Sequence, residues 1–241
     1  MKFIAIIPAR YASTRFPGKP LVSIQGKPMV QHVYEKVTQS GLFEKVIVAT
    51  DDIRIQRAVE EFGGEVVITD SNHKSGTDRC GEVIEGLKDS FDVVINIQGD
   101  EPFIHQSQLE ELTDLFESTP AQIGTLKKEL SNPEDIFNPN IVKVVAGLDK
   151  RALYFSRNPI PFVRDFEQKD WLSKQKFYKH LGLYGYRTDI LKELVKLAPS
   201  ELEKSESLEQ LRWLENSYSI FISETKHESI GIDTPDDLKK I

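Results

Sequence analysis

The first half of the chain alternates between short apolar runs and longer amphipathic stretches. Four runs of strand length are mostly apolar, which is typical of strands buried on both faces of a parallel sheet. They cover residues 3–7, 45–49, 65–68 and 93–97. Elsewhere apolar residues recur at three- and four-residue spacing, which predicts helices beginning near Pro28, Asp52, Ser75 and Gln106. Strands that alternate with helices predict an α/β protein with a mostly parallel, doubly wound sheet flanked by helices.

The regular alternation ends near residue 118. Asn-Pro pairs that begin at Asn132, Asn138 and Asn158 interrupt apolar runs over residues 141–145 and 152–155. Because proline and asparagine favour turns, this part is predicted to form antiparallel hairpins beside the main sheet. We therefore predict one domain over residues 1–241, with a smaller antiparallel β insertion over roughly 125–190.

Composition and charge narrow the range of functions. The 241 residues carry a formal net charge of −7, which argues against nucleic-acid binding because nucleic-acid binders normally present a basic face. A local group of cations on an acidic body instead favours a small anionic ligand. Cys80 is the single cysteine, so no intrachain disulfide can form, and its helical neighbours predict that it faces the core. No apolar stretch has the length of a membrane span or the form of a signal peptide, so a cytoplasmic protein is expected.

Three cations follow the first strand, in a loop rich in small and turn-forming residues: Arg10, Arg15 and Lys19. Ligands of open α/β sheets bind at the carboxyl ends of the strands, so this loop indicates a pocket for a polyanion. It is not a Walker A loop, because Pro20 follows Lys19 and Ser13 stands where the first glycine would be. Phosphates would be held mainly by Arg and Lys side chains, helped by nearby backbone N–H groups. The alternative is a solvated basic loop.

Two other segments carry groups suited to phosphate chemistry. Asp100 directly follows the fourth apolar run and could bind Mg²⁺, which usually takes one or two protein carboxylates plus phosphate oxygens. The alternative is an aspartate that only caps a turn. The turn that begins at Ser75 opens a helix and would present free N–H groups, with Arg79 adding a fixed charge. An ordinary helix cap is the alternative there.

The second half contains residues suited to binding an organic acid. Arg157 and Arg164 bracket a proline-rich loop, and guanidinium groups bind carboxylates in a bidentate way. Leucines spaced three residues apart predict a helix that aims Glu209 and Gln210 to one side.

The segment from Ile7 to Leu21, with the sequence IPARYASTRFPGKPL, resembles the opening motif of 3-deoxy-manno-octulosonate (Kdo) cytidylyltransferases. The likeness continues through SGTDR, QGDEP, HLGLYGY, LEQLR and GIDTP, and it covers nearly the whole chain. Asp78 is a mild departure, since the family often has glutamate there. The resemblance implies a Rossmann-like, GT-A-type nucleotidyltransferase fold. It also implies that CTP and Kdo react to give CMP-Kdo and pyrophosphate for lipopolysaccharide synthesis, in a homodimer.

The resemblance assigns roles to individual positions. Arg10, Arg15, Lys19, Asp100 and Asp233 are implied for catalysis, with the two aspartates as Mg²⁺ ligands. The nucleotide-binding residues are Pro8, Ala9, Arg10, Ser13, Arg15, Lys19, Ser75, Arg79 and Gln98. The sugar-acid residues are Arg157, Arg164, His180, Tyr184, Glu209 and Gln210. By composition alone, a given histidine such as His180 is more often a packed or surface residue than a ligand.

Four other interpretations compete with this one. A CMP-sialate synthetase shares the fold and the chemistry but differs in its sugar-pocket motifs. A sugar-1-phosphate nucleotidyltransferase would have a glycine-richer opening loop. A glycosyltransferase would carry Asp-x-Asp after the fourth strand, where this chain has Asp100-Glu101-Pro102. A non-catalytic nucleotide-sugar sensor would have little need of two metal-binding carboxylates.

Overall fold

The computed structural model describes residues 1–12, 16–228, 231–232 and 234–240. Three residues of the predicted site, Ser13, Arg15 and Asp233, lie outside the described residues. The strands are β1 (Phe3–Pro8), β2 (Ser23–Ile24), β3 (Lys27–Pro28), β4 (Lys45–Thr50), β5 (Val66–Ile68), β6 (Val93–Asn96), β7 (Ile123–Glu129), β8 (Lys143–Ala146), β9 (Ala152–Ser156), β10 (Tyr178–Arg187) and β11 (Ile220–Glu224). The α-helices are α1 (Met29–Gln39), α2 (Ile53–Glu61), α3 (Gly76–Gly86), α4 (Gln106–Ser118), α5 (Pro133–Phe137), α6 (Trp171–Lys174), α7 (Thr188–Leu194), α8 (Glu201–Glu206) and α9 (Glu209–Glu215). Short 3₁₀ helices cover Lys19–Leu21, Gln168–Asp170 and Asp237–Lys240.

The main sheet has the strand order β11–β7–β10–β6–β1–β4–β5. Strand β1 pairs in parallel with β4 and β6, β4 with β5, and β11 with β7, whereas β10 runs antiparallel between β6 and β7. The four apolar runs form β1, β4, β5 and β6, and the four predicted helices α1 to α4 begin within a residue or so of the expected positions. The prediction of a mostly parallel α/β sheet is therefore confirmed.

The sheet is covered on both faces, and β1 shows why its sequence is apolar throughout. Ile4 and Ile6 belong to a core cluster that includes residues of α3, α7 and α9. Phe3, Ala5 and Ile7 belong to a second cluster, with residues of α1, α2 and α4. Successive side chains of a strand point to opposite faces, so a strand between two helical layers needs apolar residues at every position. Cys80 lies fully buried in the first cluster, as predicted.

The antiparallel part is an extension of this sheet. Strands β8 and β9 form a hairpin, β8 also pairs with β10, and Val144 and Phe155 pack into the first core cluster. Strand β10 changes register against β7 between Leu181 and Tyr184, so that one strand serves both the hairpin and the central sheet. Within the described ranges, no helix is long and apolar enough to cross a membrane.

Candidate active site

A cleft of about 310 Å³ opens at the carboxyl ends of β1 and β6, beside the first turn of α3. Eight residues predicted for the site line this cleft: Pro8, Ala9, Arg10, Lys19, Ser75, Arg79, Gln98 and Asp100. Arginine and lysine side chains outnumber the single carboxylate among the described residues that line it. Because the protein as a whole is acidic, this concentration of positive charge favours a compact polyanion at one place.

The floor of the cleft requires a glycine after β6. A Cβ atom on Gly99 would lie 2.8 Å from the carbonyl oxygen of Pro8, at the end of β1. The backbone of the Gln98–Asp100 turn can therefore pack directly on the end of the neighbouring strand only without a side chain at position 99. This close approach holds Asp100 beside the opening loop.

We predict that Gly99→Ala lowers the free energy of unfolding by about 1–3 kcal/mol, the usual cost of forcing an extra methyl group into a packed site. Gly86→Ala is the matched control, because a Cβ atom there would have nothing within 4 Å. Urea denaturation of both variants tests the prediction. Equal stabilities would show that the turn moves away from Pro8 at no cost.

The opening loop returns to the cleft through a glycine and a short helix. Gly18 has a φ of 72°, and its N–H donates to the carbonyl of Tyr11 (2.9 Å). A Cβ atom at this position would lie 3.0 Å from the Tyr11 ring. The Lys19–Leu21 helix follows at once and buries Lys19, whose ammonium group forms an ion pair with the Asp100 carboxylate. A largely buried ammonium group needs such a partner, because desolvation of an unpaired charge is costly.

The C-terminal segment reaches the same place. The backbone N–H of Ile232 donates to the carbonyl oxygen of Asp100 (3.0 Å), and the buried Ile232 side chain packs with Ile24 and Met29. Asp233 is the next residue of the sequence and lies outside the described residues. Across the described part of the chain, no three His, Cys, Asp or Glu side chains form a group that could hold a metal ion by themselves. A metal at Asp100 would therefore need further oxygen ligands, as Mg²⁺ bound to phosphates normally has.

The start of α3 lines the cleft with Ser75 and Gly76. Ser75 and Asp78 form a capping box, in which each side chain accepts a hydrogen bond from the backbone N–H of the other residue (both 3.1 Å). Arg79 is buried, and its guanidinium group donates to Thr69 Oγ1 (2.6 Å) and to Asp51 Oδ2 (2.9 Å). Arg79 thus contributes a fixed charge to the wall of the cleft while it ties α3 to the segments that follow β4 and β5.

Several lining residues escaped the sequence prediction, namely Pro20, His73, Lys74, Gly76 and Gly99. The imidazole of His73 lies 2.5 Å from a carboxylate oxygen of Glu82 on α3, which fixes the loop before the helix. Lys74 adds another cation to the cleft wall. Their position directly before the helix cap at Ser75 could have indicated from the sequence that both residues line the cleft.

Glu209, at the start of α9, is brought against the first turn of α3. Its Oε2 accepts a hydrogen bond from the Thr77 hydroxyl (2.8 Å), and that hydroxyl also lies 3.4 Å from the phenol oxygen of Tyr186. Burial raises the pKa of Glu209, although hydrogen bonds from Thr77 and Ser75 oppose the shift. Since Ser75 also lines the cleft, Glu209 lies next to it, and Gln210 is buried beside Glu209.

His180 and Tyr184 pack together on β10. The His180 Nε2 atom lies 3.0 Å from Thr125 Oγ1, and its ring contacts Phe155 edge-on and Tyr184 at 5.2 Å between ring centroids. His180 is only partly buried as a residue, but burial of its ring lowers its pKa to about 3. It is therefore neutral at neutral pH. The Tyr184 ring lies edge-on against Trp213 of α9, which joins this aromatic group to the helix that carries Glu209.

We predict that His180 makes the protein less stable in acid. Its folded pKa of about 3 lies below the unfolded value of about 6.5, so between these values only the unfolded state binds the proton. Stability should then fall by up to about 1.4 kcal/mol per pH unit as the pH drops below 6.5, and His180→Gln should remove this slope. Urea denaturation at pH 7, 6, 5 and 4 measures it. Parallel curves for the two proteins would contradict the prediction.

The structure does not place the two predicted carboxylate-binding arginines in the cleft. The Arg157 guanidinium group donates to three backbone carbonyls, those of Glu206 (2.6 Å), Pro139 (2.9 Å) and Ser207 (3.3 Å). The side chain of Arg164 is 88% exposed and pairs with the equally exposed Asp165 (3.7 Å). The guanidinium group of Arg157 is directed toward backbone carbonyls of the protein, and that of Arg164 extends into solvent. The sugar-acid roles that the resemblance implies for both arginines stay predictions.

A mostly parallel sheet with a cationic cleft at the carboxyl ends of its central strands is typical of proteins that bind phosphates at a sheet edge, and this chain has no Walker A loop. The cytidylyltransferase family profile matches residues 4–226. A 3-deoxy-manno-octulosonate cytidylyltransferase of Parabacteroides distasonis is 53% identical over 100% of this chain and 96% of its own length. That of Phocaeicola vulgatus is 55% identical over the same shares.

Comparison with solved structures leads to the same family. A structure of CMP:2-keto-3-deoxy-manno-octonic acid synthetase complexed with CTP has a TM-score of 0.92 and 42% identity, and the match covers 100% of this chain and 96% of that one. A 4-diphosphocytidyl-2C-methyl-D-erythritol synthase from Anaerococcus prevotii has a TM-score of 0.63 at 13% identity, over 99% of this chain and 96% of that one, which shows a shared fold. The chain belongs to the cytidylyltransferases and, among them, to the 3-deoxy-manno-octulosonate cytidylyltransferase family.

Proposed function

We propose that this protein transfers CMP from CTP to Kdo, releasing pyrophosphate and forming CMP-Kdo for lipopolysaccharide synthesis. The observation that carries the proposal is the cationic cleft at the ends of β1 and β6, in a chain that is more than half identical to enzymes named for this reaction. A cleft with several cations fits a triphosphate better than it fits an uncharged ligand.

In the proposed reaction, the anomeric hydroxyl oxygen of Kdo forms a bond to the α-phosphorus of CTP and its proton is released to solvent, while the bond from the α-phosphorus to the bridging oxygen breaks and pyrophosphate leaves with that oxygen. Such a step depends on alignment and charge neutralisation rather than on covalent help from the protein. Arg10, Arg15 and Lys19 would hold the triphosphate and neutralise the leaving pyrophosphate. Pro8, Ala9, Ser13, Ser75, Arg79 and Gln98 would complete the nucleotide site.

We propose Mg²⁺ as the cofactor, with Asp100 and Asp233 as its protein ligands. The chemistry of Asp100 fits, because its carboxylate faces the cationic cleft and hard oxygen ligands are those that Mg²⁺ prefers. Bound there with phosphate oxygens, the ion would neutralise charge that develops on the triphosphate. The ion pair with Lys19 would hold the Asp100 carboxylate in place beside the triphosphate.

The sugar acid is proposed to lie beside the nucleotide, near His180, Tyr184, Glu209 and Gln210. The hydrogen bond from Thr77 to Glu209 supports this position, since it joins α9 to the α3 turn that lines the cleft. Uncharged His180 and buried Tyr184 suit a sugar better than a second phosphate group.

We also propose a cytoplasmic homodimer, as the resemblance implies. Leu153 and Phe162 of the antiparallel part are strongly exposed, which is consistent with a surface that is covered in a dimer.

Pyrophosphate release tests the proposal. The purified protein would be given CTP and Mg²⁺ with Kdo, N-acetylneuraminate or a sugar 1-phosphate, with and without EDTA. We expect release with Kdo alone and its loss in EDTA. Release with N-acetylneuraminate instead would indicate a CMP-sialate synthetase, and no release with any sugar would favour a nucleotide-sugar sensor.

A further inference from the structure

Arg157 belongs to a partly buried polar cluster that has no place in the proposed reaction. Its three guanidinium hydrogen bonds all end on backbone carbonyls of other segments, and two of these carbonyls belong to Glu206 and Ser207. The junction formed by residues 206–208 separates α8 from α9. Arg157 therefore holds the backbone directly before Glu209.

The same junction is held from a second direction by the end of β9. The carboxylate of Glu206 accepts a hydrogen bond from the Ser156 hydroxyl (2.6 Å) and another from the backbone N–H of Arg157 (2.9 Å). Ser207 has a positive φ of 51°, which few residues other than glycine adopt, so surrounding contacts have to maintain this conformation. The contacts from Ser156 and Arg157 are placed to do so.

Lys143 anchors Arg157 itself. Its side chain is fully buried, and its ammonium group donates to the carbonyls of Arg157 (2.6 Å), Ile141 (2.6 Å) and Asn138 (2.9 Å). The three N–H donors of the ammonium group match three carbonyl acceptors, so its hydrogen bonds are all made within the protein. This cation therefore has a structural role. Lys143 and Arg157 together join the hairpin, the turn at residues 138–141 and the α8–α9 junction.

We infer that Arg157 is a positioning residue, which holds the α8–α9 junction and thereby sets Glu209 against Thr77 at the start of α3. It acts on the sugar site through Glu209 and does not bind the carboxylate of the sugar itself. This inference rests on the proposed function, because it assigns Glu209 to the sugar site.

Kinetics separate positioning from direct binding. We expect Arg157→Ala to raise the KM for Kdo by about 10–100-fold, as loss of a supporting partner usually does, with the KM for CTP within about twofold of wild type. Glu206→Gln, which weakens the contacts of this side chain to Ser156 and to the backbone of Arg157, should also raise the KM for Kdo. Arg151→Ala is the matched control, since Arg151 lies exposed directly before β9 and its side chain pairs with the exposed Asp149.

A double-mutant cycle provides the decisive result. If Arg157 acts through Glu209, the Arg157→Ala change should raise the KM for Kdo by less than about threefold when Glu209→Gln is already present. Three results would each overturn the inference. The fold-increases in the KM for Kdo could multiply in the double variant, the KM could be unchanged in Glu206→Gln, or Arg157→Lys could recover the wild-type KM. Arg157→Lys should fail because a compact ammonium group cannot reach all three carbonyls from this position.

Hydrogen exchange tests the same inference without turnover. The amides of Leu208 and Leu211 donate within this junction, and they should exchange faster in Arg157→Ala than in wild type or Arg151→Ala. Unchanged exchange would overturn the inference. Failure of the proposed function is recognised separately, because wild-type protein would then release no pyrophosphate with Kdo.

Discussion

Asp100→Asn is expected to lower kcat/KM for CMP transfer by about 10²–10³-fold, comparable to removal of a group that stabilises transition-state charge. The amide keeps the size of the side chain but removes its charge, so both the ion pair with Lys19 and the attraction for a divalent cation are lost. The Mg²⁺ concentration that gives half-maximal activity should therefore rise as well. Pyrophosphate release over a series of Mg²⁺ concentrations measures both effects.

The control for this prediction is Asp114→Asn, which removes an exposed carboxylate on α4. We expect wild-type rates and wild-type Mg²⁺ dependence from the control. An Asp100→Asn enzyme whose Mg²⁺ dependence is unchanged would show that Asp100 serves the cleft only as the partner of Lys19.

Lys19→Met is expected to have the second largest effect, a fall of about 10²-fold or more in kcat/KM for CTP. Methionine keeps most of the buried apolar stem, so the loss should arise from the missing charge and not from an empty space. Because the carboxylate of Asp100 stays in place, the Mg²⁺ dependence should change less than in Asp100→Asn. We would measure kcat/KM for CTP from initial rates over a series of CTP concentrations, with Kdo held at a saturating concentration.

Lys27→Met is the matched control, since Lys27 lies exposed on β3 and pairs with Glu35. A KM for CTP that is unaltered in Lys19→Met would contradict the assignment of Lys19 to the triphosphate. The double variant with Asp100→Asn adds a check: because Lys19 and Asp100 contact each other, the two losses should combine to less than their product.

The sequence by itself determined the α/β class and the location of the cleft. Uninterrupted apolar runs such as residues 3–7 can be buried only between two helical layers, and this requirement is local enough to read from a single chain. The cations and the aspartate that directly follow β1 and β6 had to lie near one another, because parallel strands end at the same edge of a sheet. The eight predicted residues that line the cleft lie either at such an edge or at the first turn of a helix.

The tertiary structure alone decided which charged side chains face the cleft and which are used inside the protein. Arg79, Lys143 and Arg157 are all cations in the sequence, but their partners lie ten or more residues away in several cases, on segments whose packing no local pattern reveals. The sequence indicates that Arg157 could bind a carboxylate, whereas its position among three backbone carbonyls follows only from the fold. The reason is physical: a long, charged side chain can reach many positions, and only the folded backbone determines which acceptors lie within its range.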